Sequence, residues 1–428
     1  MYSVDYHRQL WGGLRVATAI YRRHFSYASN ANARRVIIMT LNIAEIRKQT
    51  PACNDLIHFN NAGASLLPLP VHQRLLQHLA LEQQTGGYEA ASQATPAVEN
   101  FYAAFARLLH CQTDEIAYAE NATHAWNSLF HAIPLQPGQR ILTGQSEYAS
   151  NYLALLHMAR SKNLRIEVIP NDSQGCICLE HLTAAIGDDV GLIALTHVPS
   201  QCGVVHPAAE VGRLARAHDI LYLLDACQSA GQVDLDVTKL GCDMLTGTGR
   251  KYLRGPRGTG FLYVRRESLQ RLQPDRIDLH SASWTSENRY EFRDDARRFE
   301  SWECSVAGKI ALGAAADYAT QLGMPDIERR VRMLAAQLRT TLRGLPGIRV
   351  HETGEQLSGI VTFSSEHESA ETLQRRLRDS SINTSVTRLN GNLLDLPRRG
   401  LGDINRASVH YFNTEEEIHR FCQVLHNT

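Results

Sequence analysis

Short apolar runs with no polar alternation recur through the middle of the chain, and a helix-like segment separates each run from the next. The segment TPAVENFYAAFARLLH, for example, has apolar residues at helical spacing, and Thr95 is predicted to cap this helix before Pro96. Strands that are apolar throughout are covered on both faces, which favours a mostly parallel sheet between layers of helices. The sequence therefore predicts an α/β fold. The runs are RILTG at 140–144, RIEVIP at 165–170, VGLIALTHV at 190–198, ILYLLDA at 220–226 and TGFLYVR at 259–265.

The pattern changes after about residue 310, where a long helical stretch leads to shorter strands and further helices. The predicted strands are SGIVTFSS, INTSVT and RASVHYF, and the last helix opens with a capping box formed by Thr414 and Glu417. We predict a large domain over residues 57–310. A smaller α/β domain is predicted to combine residues 39–56 with residues 311–428.

Residues 1–38 differ from the rest of the chain, because they are rich in arginine and contain a single acidic residue, Asp5. This composition is typical of a mitochondrial targeting segment. It also suits a bacterial tail, or an upstream start placed ahead of Met39, and we favour these two readings. We expect residues 1–38 to be an N-terminal extension outside the fold.

The composition excludes several classes of partner. Acidic and basic residues balance at 44 each, so no net charge attracts nucleic acid or an anionic membrane. No apolar run approaches the roughly 20 residues of a membrane span. The nine cysteines are scattered without a CxxC pair, and no HExxH spacing occurs among the 19 histidines. We therefore expect reduced thiols and no structural metal in a cytoplasmic protein, or a mitochondrial one if residues 1–38 are a targeting segment.

A lysine and an aspartate follow two of the predicted strands. Asp225 ends the run LYLLD, and Lys251 lies in the Gly-rich loop after the run CDMLTG. Lys251 comes 26 positions after Asp225, which corresponds to about one strand–helix–strand step. In an open parallel sheet, ligands bind beyond the carboxyl ends of the strands. We therefore expect both side chains to face one crevice.

A carboxylate and a lysine at one sheet edge have several uses. They can form an ion pair, or they can be a core aspartate with a surface lysine. A nucleotide-binding loop is disfavoured, because TGTGRKY lacks the Gly-Lys-Ser/Thr ending. The third use is pyridoxal phosphate, which needs a lysine for the Schiff base, with a pKa lowered by burial or by a cation such as Arg250. It also needs a carboxylate, here Asp225, that keeps the pyridine nitrogen protonated.

Other residues match further requirements of that cofactor. Gln228 lies one helical turn after the aspartate, where its amide can reach the ring oxygen. Thr123 and His124 open a helix, where backbone N–H groups bind phosphate, and Thr248 adds a hydroxyl beside the lysine. Tyr148 follows a strand and offers a ring that stacks on the cofactor. Together, these residues predict that the cofactor is pyridoxal phosphate.

From about residue 57 to its C-terminus, the chain resembles the class V aminotransferase group of fold-type I pyridoxal phosphate enzymes, which includes the cysteine desulfurases. The family has its lysine in Ser-Gly-His-Lys before a Gly-Pro-rich turn, matched here by TGRK and GPRG. Its Asp-x-x-Gln pair matches Asp225 and Gln228, and its Thr-Glu phosphate turn matches Thr123 and His124. The resemblance implies a large domain with a mostly parallel seven-stranded sheet between helices, plus a smaller C-terminal α/β domain.

The resemblance also assigns roles to further residues. Two of them differ in type from the family's residue, and others are expected to face the substrate. Tyr148 stands where the family has a stacking histidine, and Ser200 stands where it has an asparagine that faces the cofactor. Arg406 matches an arginine that binds the substrate carboxylate. Asn61 is expected either to line the substrate mouth or to shape a loop turn. The charged segment at residues 297–303 matches one that reaches a neighbouring subunit, which implies a homodimer, or else it is a solvated turn.

The reaction is constrained by a missing cysteine. Cysteine desulfurases use a nucleophilic cysteine on a mobile loop in the C-terminal third, and this chain has none between Cys304 and Cys422. The stretches NNAGASLLPLPV and GGYEAAS are similar to C–S lyases of ergothioneine biosynthesis, and RRFESWECSVAGKIALGAA is similar to those lyases and to isopenicillin N epimerases. We predict a C–S lyase that acts on an amino acid by β-elimination through Lys251. A class V aminotransferase or an epimerase is the alternative, and a cysteine desulfurase or a catalytically silent binding protein is less favoured.

Overall fold

The described part of the chain, residues 41–426 of a computed structural model, alternates strands with helices, and the predicted extension at 1–38 lies outside it. The strands are β1 (Ile57–His58), β2 (Ile116–Ala119), β3 (Arg140–Gly144), β4 (Arg165–Ile169), β5 (Val190–Thr196), β6 (Leu221–Asp225), β7 (Met244–Thr248), β8 (Gly260–Val264), β9 (Ala282–Ser286), β10 (Arg289–Phe292), β11 (Ile348–Val350), β12 (Ile360–Ser365), β13 (Ile382–Asn383), β14 (Ser385–Thr387) and β15 (Ile404–Ser408). The helices are α1 (Ile43–Lys48), α2 (Leu69–Thr85), α3 (Gly87–Gln93), α4 (Thr95–Leu109), α5 (Ala122–Ala132), α6 (Ala149–Lys162), α7 (Leu179–Ala185), α8 (Ala208–Ala217), α9 (Val237–Leu240), α10 (Val306–Leu322), α11 (Met324–Arg343), α12 (Ala370–Asp379) and α13 (Glu415–His426).

All five apolar runs of the middle chain are strands of one seven-stranded sheet, in the order β2-β8-β7-β6-β5-β3-β4. Neighbours from β7 to β4 are parallel, whereas β8 is antiparallel to both β7 and β2. The loop from β7 to β8, residues 249–259, is too short for the crossover that a parallel neighbour needs, so β8 must turn back. The predicted mostly parallel sheet is confirmed.

Both faces of this sheet are covered, which explains why its strands lack polar alternation. Successive residues of β6 point to opposite faces. Leu221 and Leu223 pack in one apolar cluster with Trp126 of α5. Tyr222 and Leu224 pack in the other cluster, which also contains the aromatic residues of α4. The sheet is therefore the central layer between two layers of helices.

A second sheet lies in the C-terminal part of the chain, in the antiparallel order β11-β12-β15-β14. One of its faces packs on α11, α12 and α13, in a cluster that includes Phe363 and Phe421. β1 pairs in parallel with β13, so residue 57 joins the C-terminal part. Helix α10 spans the predicted boundary at 310/311 and packs on α2 and α4. The domain boundaries remain a prediction.

The two predicted helix caps have different outcomes. The Thr414–Glu417 capping box is confirmed, because the Glu417 N–H donates to Thr414 Oγ1 (3.3 Å) and the Thr414 N–H donates to Glu417 Oε2 (3.2 Å). The Thr95 cap is wrong, since Ala94 is the N-cap of α4. The Thr95 hydroxyl instead donates backward to the Ser92 carbonyl at 2.8 Å, which is a local alternative that serine and threonine side chains commonly form.

Arg254, in the β7–β8 loop, is fully buried and holds distant parts of the chain together. Its guanidinium donates to the Leu66 carbonyl (2.8 Å), to Thr50 Oγ1 (2.6 Å) and to the Tyr411 hydroxyl (3.0 Å). It also lies 4.5 Å from the centre of the Phe412 ring, a cation–π distance. The loop that carries Lys251 is thus fixed to both ends of the described chain.

Replacing Arg254 with alanine is expected to lower the free energy of unfolding by about 3 kcal/mol or more, because it leaves buried polar groups without partners. Urea denaturation followed by circular dichroism measures the loss. The matched control is Arg257→Ala in the same loop, where the arginine is exposed. Equal losses in the two variants would contradict the role assigned to Arg254.

Candidate active site

The predicted lysine, aspartate and aromatic ring meet at the carboxyl edge of the central sheet. Asp225 is the last residue of β6, Lys251 lies three residues beyond the end of β7, and Tyr148 is the N-cap of α6 after β3. Lys251 Nζ lies 5.8 Å from the centre of the Tyr148 ring. Lys251 and Asp225 are both buried. The structure therefore brings these three side chains to one crevice, and the strand–helix–strand spacing predicts this for Asp225 and Lys251.

The amine of Lys251 is buried without a polar partner. Within residues 41–426, no hydrogen bond or ion pair engages its Nζ atom. Burial lowers the pKa of Lys251. The cations Arg250 and Arg406 lower this pKa further, whereas the Asp225 carboxylate raises it. The sequence predicts burial or a cation such as Arg250 as the cause, and the structure gives burial as the larger of the two. Such an amine is neutral more readily than a surface lysine and suits covalent attachment to an aldehyde.

The carboxylate of Asp225 is held by two donors. Asn151 Nδ2 donates to Oδ2 at 2.8 Å, and the Cys227 N–H donates to Oδ1 at 2.7 Å. The same Asn151 nitrogen donates to Glu147 Oε1 at 3.0 Å, so one amide joins two buried carboxyl groups. Burial raises the pKa of Glu147 to about 7, while hydrogen bonds from Thr196 and Asn151 oppose this.

Sequence reasoning missed Glu147 and Asn151. The available signal was their spacing, because they lie one helical turn apart around the predicted ring-stacking residue Tyr148.

Buried polar atoms without protein partners show that the crevice suits a polar ligand. Gln228 Nε2 donates to the Ala62 carbonyl at 3.0 Å, but its Oε1 has no partner in the described part of the chain. Arg406 Nη1 donates to the Ser200 carbonyl at 3.2 Å, whereas its buried Nε has no partner there either. Burial lowers the pKa of Arg406 to about 10. Native proteins rarely leave such atoms unsatisfied, so they fit a cofactor and an anionic substrate.

The predicted phosphate-binding residues gather around the start of α5 and the end of β7. Thr123 is exposed in the first turn of α5. The His124 N–H donates to the capping Asn121 side chain at 2.9 Å, and its ring bonds to Glu120. Arg250 Nη1 donates to Thr248 Oγ1 at 3.1 Å. The Thr248 hydroxyl, the Arg250 guanidinium and the positive N-terminal end of α5 together form an environment that suits a phosphate group.

Two predicted site residues, Asn61 and Ser200, make hydrogen bonds to other groups of the protein. Asn61 is fully buried, and its amide donates to the His58 carbonyl (3.1 Å) and the Ser408 carbonyl (2.8 Å). Its Oδ1 accepts from the Ser65 hydroxyl at 2.7 Å, so the geometry favours the loop-turn role over a substrate contact. Ser200 presents its carbonyl to Arg406. A contact from Ser200 to the cofactor stays a prediction.

Two further residues in contact with Asp225, His197 and Cys227, were not identified from the sequence. His197 follows β5 and is buried, which lowers its pKa to about 4, so its imidazole is neutral. Cys227 lies between Asp225 and Gln228, and burial together with the Asp225 carboxylate raises its thiol pKa well above the usual value. The thiol beside Lys251 is therefore protonated at neutral pH.

The charged segment at 297–303 is not a solvated turn throughout. Glu300 is buried and accepts hydrogen bonds from Lys309 Nζ (3.1 Å) and the Tyr102 hydroxyl (2.9 Å). Arg298 is buried as well. The simple solvated-turn alternative is thus wrong for these two residues, while the inter-subunit role stays a prediction.

Comparison with known proteins agrees with this geometry. The family model described as aminotransferase class-V matches residues 57–421. A probable cysteine desulfurase of Xylella fastidiosa (strain 9a5c) is 31% identical over 380 residues, which covers 86% of this chain and 90% of the relative.

Solved structures show the same fold. The apo cysteine desulfurase of Thermococcus onnurineus NA1 has a TM-score of 0.84 and 27% identity, covering 91% of this chain and 98% of that one. The cystine C–S lyase C-DES, in complex with its product cysteine persulfide, has a TM-score of 0.79 and 21% identity, covering 88% and 99%. At 21% identity, the similarity to the C–S lyase shows only that the two proteins share a fold.

Replacing Asn151 with leucine is expected to weaken the binding of pyridoxal phosphate about tenfold, because Asp225 loses a donor and the two carboxyl groups lose their bridge. Titration of the cofactor-free protein with pyridoxal phosphate, followed by absorbance, measures the change. Ser161→Ala on the same helix is the control, since Ser161 Oγ donates to the Met158 carbonyl away from the site. Unchanged binding in Asn151→Leu would contradict the positioning role.

Lys251→Met is expected to stabilise the cofactor-free protein at neutral pH, because it removes a buried cation. The folded-state pKa of Lys251 lies below its ordinary value of 10.5, so the folded protein binds this proton more weakly than the unfolded chain. The cost is complete below the folded-state pKa and disappears as the pH rises toward 10.5. Urea denaturation across this range measures the advantage, with the exposed Lys48→Met as control. A difference that does not change with pH would disprove the expectation.

Proposed function

The chain belongs to the class-V aminotransferase family and is an enzyme that depends on pyridoxal phosphate; on that premise we propose that it is a C–S lyase. Its substrate is an S-substituted cysteine-type amino acid. The observation that carries the proposal is that the crevice combines the Lys251 amine, the Asp225 carboxylate and the Arg406 guanidinium, while the sequence between Cys304 and Cys422 contains no cysteine for desulfuration.

The residues around the crevice fit the cofactor. Lys251 would hold the aldehyde, Asp225 the pyridine nitrogen and Gln228 the ring oxygen, with Tyr148 against the ring. The remaining predicted contacts are Thr123, His124, Thr248, Arg250 and Ser200. When bound, the cofactor supplies an electron sink that acidifies the α-hydrogen of an amino acid.

The chain's own residues then bind the substrate and move a proton. Arg406 binds the α-carboxylate with a planar pair of donors. Lys251 Nζ takes the α-proton, and its lowered pKa leaves more of the amine unprotonated for this role than in a surface lysine. The Cα–H and Cβ–S bonds break, the sulfur group leaves as a thiol, and water releases the remainder as pyruvate and ammonia.

Desulfuration by a loop cysteine is disfavoured. The segment 388–401 contains no cysteine, and its Asp395 accepts a hydrogen bond from Gln145 Nε2 at 3.2 Å, close to the site. Cys227 has a raised thiol pKa and is a poor nucleophile. Because the fold is shared by proteins named desulfurase and by one named C–S lyase, the fold does not decide between the reactions.

The protein is proposed to be a cytoplasmic homodimer. Trp284 and Tyr290, which are paired across β9 and β10, are large, exposed aromatic side chains, and this favours a protein partner over them. All nine cysteines are free, as expected of a reducing compartment. Among the helices of the described residues, none is long and apolar enough to cross a membrane.

Incubating the holoenzyme with S-ethyl-L-cysteine is expected to give pyruvate, ammonia and ethanethiol in equal amounts. Enzymatic assay of pyruvate and mass spectrometry of the products measure the outcome, and Lys251→Ala is the inactive control. Four other outcomes reject the lyase. Alanine from L-cysteine, with sulfide released when dithiothreitol is present as the reductant, indicates a desulfurase. A sulfur-containing keto acid indicates an aminotransferase, the D-enantiomer indicates an epimerase, and no product from any amino acid indicates a binding protein.

A further inference from the structure

A cavity of about 470 Å³ lies outside the site described above, between the C-terminal sheet and the ends of β3 and β4. Its walls include Gln145 and Asn171, which follow those two strands. Arg349 of β11 lines it, together with Arg398 and Arg399 of the segment before β15. The proposed reaction uses none of these residues.

The cavity and the active site share one face of the C-terminal sheet. Arg406 pairs with Thr362 of β12, and Arg349 pairs with Ser364 of the same strand. Thr362 and Ser364 are two residues apart, so all four side chains point to the same face. Two strand spacings separate the two arginines, which is roughly 10 Å across the sheet.

The cavity also lies on the same edge of the central sheet as the active site. Along that edge the order is β7, which precedes Lys251, then β6, which ends in Asp225, then β5, β3 and β4. Gln145 and Asn171 therefore lie two to three strands beyond Asp225. The two sites occupy different parts of one crevice between the sheets.

The arginines of the cavity are only partly neutralised. Arg399 Nη1 is paired with Asp395 at 3.0 Å, and its Nη2 donates to the His351 carbonyl at 3.0 Å. Arg398 donates to the amide oxygen of Gln145 at 3.4 Å, and no carboxylate of residues 41–426 pairs with it or with Arg349.

Two carboxylates also line the cavity, Asp172 and Asp395. Asp395 is paired with Arg399, whereas Asp172 keeps its charge and accepts the N–H groups of Gln174 (2.8 Å) and Cys176 (3.0 Å). His351 donates or accepts at Ser364 Oγ (3.0 Å), and burial with the two nearby arginines, Arg399 and Arg349, lowers its pKa to about 4. The neutral imidazole adds no charge, and the two unpaired guanidinium groups outnumber the one carboxylate that has no cationic partner among the described residues, which suits an oxyanion.

We propose that this cavity binds the oxyanion of a small ligand, a carboxylate or a phosphate, between Arg349 and Arg398. The oxyanion comes either from a free anion or from an acidic group at the far end of the substrate. The second source rests on the proposed function, since it needs a substrate whose α-carboxylate lies at Arg406.

Isothermal titration calorimetry of the holoprotein with sodium phosphate tests the site directly. The bound cofactor keeps phosphate out of the active site, and low salt limits screening. The double variant Arg349→Gln/Arg398→Gln is expected to bind phosphate at least about tenfold more weakly than the native protein. Arg375→Gln, an exposed arginine on α12, is the matched control and is expected to bind as the native protein does.

Kinetics with two substrates of matched length distinguish the sources of the oxyanion. If the substrate supplies it, the double variant raises KM about tenfold for S-(3-carboxypropyl)-L-cysteine and leaves KM for S-butyl-L-cysteine unchanged. If a free anion supplies it, phosphate binding is lost while both KM values stay the same.

Two results separate failure of this site from failure of the proposed function. If neither conjugate reacts, the proposed function fails, and the phosphate titration still decides the site. If phosphate binding is absent or equal in the native protein and the double variant, and KM for the acidic conjugate does not change, the oxyanion site is disproved.

Discussion

The burial of one lysine amine without a polar partner is the constraint around which this site is built. An uncompensated buried amine is costly, so the surrounding structure must hold Lys251 in place. It does so by buried strands on either side of the loop and by the Arg254 guanidinium three residues further on. The same burial that costs stability lowers the pKa of the amine and makes it reactive.

The sequence predicted well what depends on chain-wide periodicity. The five apolar runs are strands because a sheet covered on both faces needs apolar residues at every position. Asp225 and Lys251 face one crevice because parallel strands end at the same edge. The reversal of β8 was not foreseen, although the short loop before it requires that turn.

What the sequence could not predict depends on tertiary neighbours. Asn151 bridges Glu147 and Asp225 because the first turn of α6 lies at the carboxyl end of β6. The sequence spacing indicates the contact between Asn151 and Glu147, but not the contact with Asp225. Thr95 has the residue type of a cap, but its hydroxyl finds a nearer acceptor in Ser92. Asn61 suits either a turn or a substrate contact by type, and its three internal hydrogen bonds are visible only in the fold.

The Arg254 contacts have a consequence for biosynthesis. Tyr411, one of the three groups that Arg254 binds, lies near the end of a chain of 428 residues. A growing polypeptide on the ribosome lacks this partner until residue 411 has been synthesised, 157 residues after Arg254. The lysine loop therefore reaches its final anchorage only after the strands on either side of it have emerged.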